Sequence, residues 1–301
     1  MGCLNSTGQF KHWFGNIHLS GPCNRSCYFC IGQHMMSLDP INILGTWPLP
    51  NIDKFVDKLV EKGINEVNIT GSNTDPLLYE YLPELKEYLL DRIPNLKFGI
   101  RTNGVAISTR QDRWNLFDKG SISITSLNPE IYKRTMGNGY PPNLNTIRNL
   151  SEYHIGPTWS DIKINIVLCP ELLENYDLWD TIYNLYFKYG IKTINLREPY
   201  GQPTIGNPFQ KPIPKYAQKY LTRTNYTHGN HTYIFYNTRI TYWDVHYTEV
   251  ESVNLYANGV VSDTYPVTLG HDPVNGKVEG QEHFNKSGRI RPQWVKLEIN
   301  K

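Results

Sequence analysis

Three of the five cysteines in this 301-residue chain fall within eight positions, as Cys23-Asn24-Arg25-Ser26-Cys27-Tyr28-Phe29-Cys30. Three thiolates this close can converge on one metal centre and leave its fourth position open. Four cysteines are the usual ligand set of a cubane iron–sulfur cluster. A cubane held by three therefore has one iron free for a ligand that is not protein. Structural zinc normally takes four Cys or His ligands in paired knuckles. Here there is one triplet and no second pair, although His34 stands close enough in sequence to complete a zinc tetrahedron. A disulfide framework fits less well, because three clustered cysteines in a chain this long are not a stapled mini-domain.

Alternating apolar segments surround this stretch. His12 to Ser20 reads as a strand that feeds directly into the cysteine loop. Ile52, Phe55, Val56, Leu59 and Val60 recur at helical spacing. Further strands are expected at Glu66 to Thr70, Leu96 to Thr102, Ser121 to Thr125, Ile162 to Leu168 and Thr193 to Arg197. Helical patterns at Tyr79 to Asp91, Gln111 to Asp118, Asn145 to Tyr153 and Tyr176 to Tyr189 separate them. Strands alternating with helices argue for βα units and a parallel sheet. Six such units are too few for the common closed barrel of eight. In parallel β/α folds, chemistry collects at the C-terminal ends of the strands.

The Cys-x3-Cys-x2-Cys spacing, with an aromatic residue before the last cysteine, resembles the radical S-adenosylmethionine (radical SAM) superfamily. It resembles a single-cluster member with a core of the molybdopterin-precursor-synthase and viperin-like kind. The resemblance covers about residues 12 to 205. It implies an α/β fold, a partial (β/α)6 parallel barrel, in which Cys23, Cys27 and Cys30 hold a [4Fe-4S] cluster. It also implies that the open iron binds S-adenosylmethionine, whose reductive cleavage yields a 5′-deoxyadenosyl radical. The cofactor carries that chemistry, and the protein positions and shields it.

Other motifs follow in the family's order. Gly71-Ser72-Asn73-Thr74-Asp75-Pro76 resembles the Gly-Gly-Glu-Pro stretch that binds the cofactor's amino group. Ser72 replaces the second glycine, and two extra residues precede Asp75. An ordinary turn capped by Asp75 is the alternative. Asn103, in Arg101-Thr102-Asn103-Gly104, and Ser123, on the fourth strand, stand where relatives face the cofactor. Arg134 is a candidate clamp for its carboxylate, since a guanidinium matches that geometry. Phe29 would pack near the adenine. Cys169 ends the fifth strand as a candidate hydrogen-atom donor or substrate contact, or as a buried small apolar residue. Arg197 and Glu198 end the sixth.

Residues 1–205 are read as the barrel and residues 206–301 as a β-rich C-terminal extension that caps it and shapes the substrate site. Lys215, Tyr216, Lys219, Tyr220 and Arg223 interleave bases with aromatics, a pattern able to stack nucleobases and hold phosphate. A solvated amphipathic helix explains the same residues. The expected substrate is a small molecule or a nucleotide or nucleic-acid base, with a peptide as a further alternative. An electron donor such as flavodoxin or ferredoxin is implied. A non-enzymatic zinc or nucleic-acid-binding module is the reading of another class. Net charge is only +2, and no apolar run approaches membrane-spanning length. Thiolates needed as ligands point to a reducing cytoplasm.

Overall fold

The computed structural model describes residues 13–30, 32, 41–137, 139–199, 205–227, 230–243, 251–263, 271–272 and 276–277. His34 and Asn138 lie outside them.

Six strands succeed one another in the barrel region, with helical segments between them. They are β1 (Trp13–Leu19), α1 (Ile52–Glu61), β2 (Glu66–Gly71), α2 (Leu82–Arg92), β3 (Lys97–Thr102), α3 (Gln111–Trp114), β4 (Lys119–Ile124), α4 (Pro129–Met136), α5 (Leu144–Glu152), β5 (Ile162–Val167), α6 (Asp177–Phe187) and β6 (Thr193–Arg197). The chain continues through α7 (Lys215–Gln218), β7 (Leu221–Thr227), β8 (Asn230–Phe235), β9 (Thr238–Trp243), β10 (Glu251–Leu255) and β11 (Val261–Ser262). A separate two-stranded pair joins β12 (His271–Asp272) to β13 (Gly276–Lys277).

The main sheet has eleven strands in the order β11-β10-β1-β2-β3-β4-β5-β6-β9-β8-β7. Strands β1 to β6 keep their sequence order and pair in parallel. This is a partial (β/α)6 barrel whose sheet stays open. Strands from the C-terminal third extend it at both edges. β10 pairs in parallel with β1, and β9 in parallel with β6. The antiparallel β7–β8–β9 meander covers one edge and β11 the other. Sheets that do not close need such edge cover.

Side chains alternate across each strand, and the two faces differ sharply. A Cβ added at Gly15 would lie 3.0 Å from Leu59 and Phe55 of α1. Ile17 and Leu19 share that face, as do Val67 and Ile69 through the register of β1 and β2. Ile122, Ile164, Ile194 and Ile240 continue it, all fully buried. The opposite, inner face is polar: Asn16 and His18 on β1, Ser121 and Ser123 on β4, Asn165 on β5, Asn195 on β6.

The basic and aromatic stretch from Lys215 to Arg223 is not one helix. Only Lys215–Gln218 is helical, and β7 begins at Leu221. In the β-rich extension β9 ends at Trp243, and residues 244–250 lie outside the described set.

Candidate active site

The loop from Ser20 to Cys30 leaves the C-terminal end of β1 and carries the three cysteines as free thiols. Three neighbours hold it in place. The first is the turn after β2. Ser72 N donates to Leu19 O at 2.9 Å, and Gly21 N to Asn73 Oδ1 at 3.0 Å. Thr74 Oγ1 donates to Pro22 O at 2.7 Å, and the Cys30 thiol to Ser72 O at 3.4 Å. The turn is so tight at Gly71 that a Cβ there would sit 1.7 Å from Thr74 O, so only glycine fits.

The second neighbour is the C-terminus of α4. Ser26 N donates to Met136 O at 3.2 Å, and Cys27 Sγ lies 3.5 Å from Met136 Sδ. Gly137 follows with φ 80, and a Cβ on it would lie 2.0 Å from Ser26 Oγ. The third is Asn103, just beyond β3. Its amide donates to Asn24 Oδ1 at 2.6 Å and lies 4.0 Å from Cys23 Sγ. Arg25 then fixes the outer side, reaching Asn24 O at 2.7 Å, Tyr132 OH at 3.3 Å and Tyr140 O at 3.3 Å.

Burial first, and then the neighbouring ionisable groups, push the Cys23 thiol up to about 11 and Cys27 up to about 12. For Cys27 the neighbouring groups are Cys30 and Cys23 themselves. A bound cationic centre reverses that logic and deprotonates its thiols. Among the described residues, no three His, Cys, Asp or Glu side chains group around a point suited to one metal ion. Thiols serving one ion must converge on it, whereas in a cubane each binds a different iron. Three thiols on one loop suit a cubane with one iron left open.

The motif residues divide on inspection. Ser72 is buried, and its hydroxyl oxygen has no hydrogen-bond partner among the described residues. A buried polar atom without a partner asks for an explanation, and a ligand group beside the cysteine loop supplies one. Asp75 behaves otherwise. Its carboxylate is buried and accepts from Leu77 N at 3.0 Å, Thr102 Oγ1 at 2.7 Å and Asn103 N at 2.8 Å. Burial raises its pKa against the pull of those three bonds. It caps the short turn Pro76–Leu78 and ties the β2 end to the β3 end.

Ser123 stands on the inner face of β4, opposite Asn165. Phe29 is buried, edge-on to Tyr28 at 5.4 Å. Arg134 is exposed and binds Glu174 at 2.9 Å. Cys169 is fully buried, and the Tyr28 hydroxyl donates to Glu171 Oε2 at 3.1 Å. Burial pushes the Cys169 thiol up to about 12. Arg197 and Glu198 do not pair. Glu198 binds Ile205 N and Gly206 N, both at 2.8 Å, and Tyr242 OH at 2.7 Å.

The motifs did not point to His18, Arg25 or Tyr28. His18 lies on the inner face, bonded to Asn254 Oδ1 at 3.2 Å and stacked on Tyr256 at 4.8 Å. Burial, with a smaller push from Arg101, lowers its pKa to about 4, so it is neutral at pH 7. Polar residues at every second position of these strands were the available signal.

Residues 17–181, more than half of the chain, match the radical SAM superfamily. The chain belongs to that superfamily, whose members use a [4Fe-4S] cluster and S-adenosylmethionine. It is 26% identical over 160 residues to a probable GTP 3′,8-cyclase of Methanococcus aeolicus, covering 50% of this chain and 49% of that protein. It is 27% identical over 163 residues to the GTP 3′,8-cyclase of Rhodococcus opacus, covering 52% and 44%. The chain thus spans about half the length of the curated relatives it matches. Among solved structures, Streptococcus suis SuiB aligns at 16% identity and a TM-score of 0.46, covering 65% of this chain and 41% of that one. No helix among the described residues is long and apolar enough to cross a membrane.

Proposed function

We propose that this chain is a radical SAM enzyme that abstracts hydrogen from a nucleotide or a nucleic-acid base. In this reading Cys23, Cys27 and Cys30 hold the [4Fe-4S] cluster. With S-adenosylmethionine bound, such a cluster supplies one-electron cleavage of the sulfonium and a 5′-deoxyadenosyl radical. The observation that carries the reading is the cysteine loop fixed against the turn after β2, where the Ser72 hydroxyl is buried without a partner among the described residues.

The chain's own residues then have distinct tasks. Gly71, Ser72 and Asn73 border the cofactor's polar end, and the Ser72 hydroxyl gives it a hydrogen bond. Asn103 orients the Cys23–Asn24 segment. Asp75 is a positioning residue that holds Asn103 and the turn in register. Ser123 faces the ribose or carboxylate, and Phe29 shields the adenine side from water. Cys169 is buried behind the opening, and Arg134 acts only through its partner Glu174. Strands β7 to β11 border the opening and shape the substrate pocket. Cys23, the exposed cysteine of the three, marks the side from which a donor such as flavodoxin or ferredoxin delivers electrons. A reducing compartment such as the cytoplasm suits these thiols.

Support for a nucleotide comes from the GTP 3′,8-cyclase relatives and from the polar inner face. The test uses reconstituted protein, S-adenosylmethionine and deuterated nucleoside triphosphates or oligonucleotides. Deuterium entering 5′-deoxyadenosine supports the reading. Transfer from a deuterated peptide and from none of the nucleotides overturns the substrate class.

A further inference from the structure

Five aromatic side chains meet on the outside of the molecule, at the end of the barrel away from the cysteine loop. Tyr183 and Phe187 lie on α6, Tyr216 on α7, Tyr220 just before β7 and Tyr236 in the β8–β9 turn. Their rings form a continuous chain. Tyr216 stands edge-on to Tyr183 at 5.8 Å, and Tyr183 is tilted against Phe187 at 4.2 Å. Phe187 meets Tyr236 edge-on at 4.9 Å, and Tyr236 stacks on Tyr220 at 4.1 Å. Strand pairing fixes where this chain lies. Leu221 of β7 pairs with Phe235, Phe235 with Thr238, and Arg239 with Thr193 at the start of β6. These residues stand at the N-terminal end of the parallel strands, whereas the cysteine loop leaves the C-terminal end of β1. The ring chain is therefore separate from the proposed chemistry.

Tyr186 and the buried Phe235 back Tyr236, at 4.8 and 4.9 Å. The outer rings are left open: Tyr183, Phe187, Tyr216 and Tyr220 are 38% to 49% exposed. A contiguous exposed patch of this kind marks an interaction site.

Charge selects the partner. From Thr181 to Trp243 the sequence has eight Lys and Arg residues against one carboxylate, Glu198, which is buried. Lys188 directly follows Phe187, and Lys215 and Lys219 directly precede Tyr216 and Tyr220. All three lysines are exposed and form no ion pair among the described residues. The Lys219 ammonium lies 5.3 Å from the Tyr220 ring centre. Asp180, accepting from Tyr216 OH at 2.7 Å, stands at one end of the chain. Cations interleaved with rings suit a polyanion that carries flat groups. Other occupants fit less well. A second copy in a two-fold pair would set this cationic face against itself. A carboxylate-rich protein is gripped best by the guanidinium fork, whereas lysines serve phosphate as point charges. A bilayer takes up Trp, Phe and Leu, whereas four of these five rings carry hydroxyls.

We propose that this face binds single-stranded nucleic acid, with bases stacked on the exposed rings and phosphates on Lys188, Lys215 and Lys219. Bases within a duplex already stack on one another, so a single strand is the form that offers its faces to the rings.

The test is fluorescence anisotropy of a short labelled oligothymidylate titrated with the reconstituted holoprotein. The oligomer binds, and an abasic oligomer with the same number of phosphates binds at least about tenfold more weakly, because stacking is lost. Tyr216→Ala weakens oligothymidylate by about fivefold or more. Lys219→Gln lowers the slope of log affinity against log salt by about 0.7, one phosphate's share. Tyr153→Ala and Lys54→Gln, at exposed positions outside the patch, leave binding unchanged. Both patch variants melt with the natural protein, which separates lost binding from lost folding. No binding overturns the proposal, as do equal binding of the abasic oligomer and binding that survives both patch variants. So does binding of polyglutamate or of phosphatidylserine vesicles but not of oligothymidylate. So does self-association that Tyr216→Ala abolishes in a protein that binds no oligomer. If any of these is found while 5′-deoxyadenosine still forms, the proposed chemistry stands and only this inference falls. Patch-dependent binding without any S-adenosylmethionine cleavage has the opposite meaning.

Discussion

Asn103 joins the cysteine loop to the third strand, its side-chain amide donating to Asn24 Oδ1 at 2.6 Å while Asp75 holds its backbone N–H at 2.8 Å. Asn103 Oδ1 also accepts from Val105 N at 3.0 Å. Asn103→Ala removes both side-chain bonds, each worth about 1 kcal/mol. The cysteine loop should loosen without the fold failing. Reconstituted Asn103→Ala should release iron to a chelator several-fold faster than the natural protein. Equal release rates would show that this contact does not steady the loop.

Gly137 tests the other support of that loop. A side chain there meets Ser26 Oγ and strains a backbone at φ 80. Gly137→Ala should lower iron and sulfide content after reconstitution even though all three cysteines remain. Full cluster loading in Gly137→Ala would mean that the α4 terminus can move aside freely.

His18 predicts a pH dependence of stability. Its folded pKa lies near 4 and its ordinary value is 6.5, so the unfolded chain takes up the proton first as pH falls. The stability it contributes is present above pH 6.5 and is lost as pH falls from there toward 4. Between pH 7 and pH 5 the loss is about 2 kcal/mol. Urea unfolding at the two pH values should show this difference for the natural protein and a smaller one for His18→Gln. Parallel pH dependences in the two proteins would contradict the burial of a neutral imidazole.

Arg134 separates the two roles open to an arginine at this place. It pairs with Glu174 where both side chains are about half exposed, and exposed pairs contribute little to stability. Arg134→Ala should leave both melting temperature and 5′-deoxyadenosine formation nearly unchanged. A large rise in the S-adenosylmethionine concentration needed for turnover would instead place Arg134 at the cofactor.

The barrel strands were legible because period-two alternation and helical spacing are local properties. Predicted bounds such as Thr193 to Arg197 coincide with β6, and Glu66 to Thr70 falls one residue short of β2. The cysteine triplet was legible because its spacing carries its chemistry. Partners were not. Asp75 sits in the motif, yet only its distance to Thr102 and Asn103 reveals that its carboxylate is occupied. Arg134 was placed by helical offset, which cannot foresee a partner forty residues away in Glu174. The return of β9 and β10 to opposite edges of the sheet depends on long-range pairing. No local pattern in residues 230–262 encodes which edge each strand joins.

The most direct measurement is 5′-deoxyadenosine formation by anaerobically reconstituted, dithionite-reduced protein given S-adenosylmethionine and nucleoside triphosphates, alongside Cys27→Ala. The account predicts formation by the natural protein and none by the variant, which should also fail to hold the full cluster. No formation by cluster-loaded natural protein with any nucleotide, or equal formation by Cys27→Ala, would contradict it.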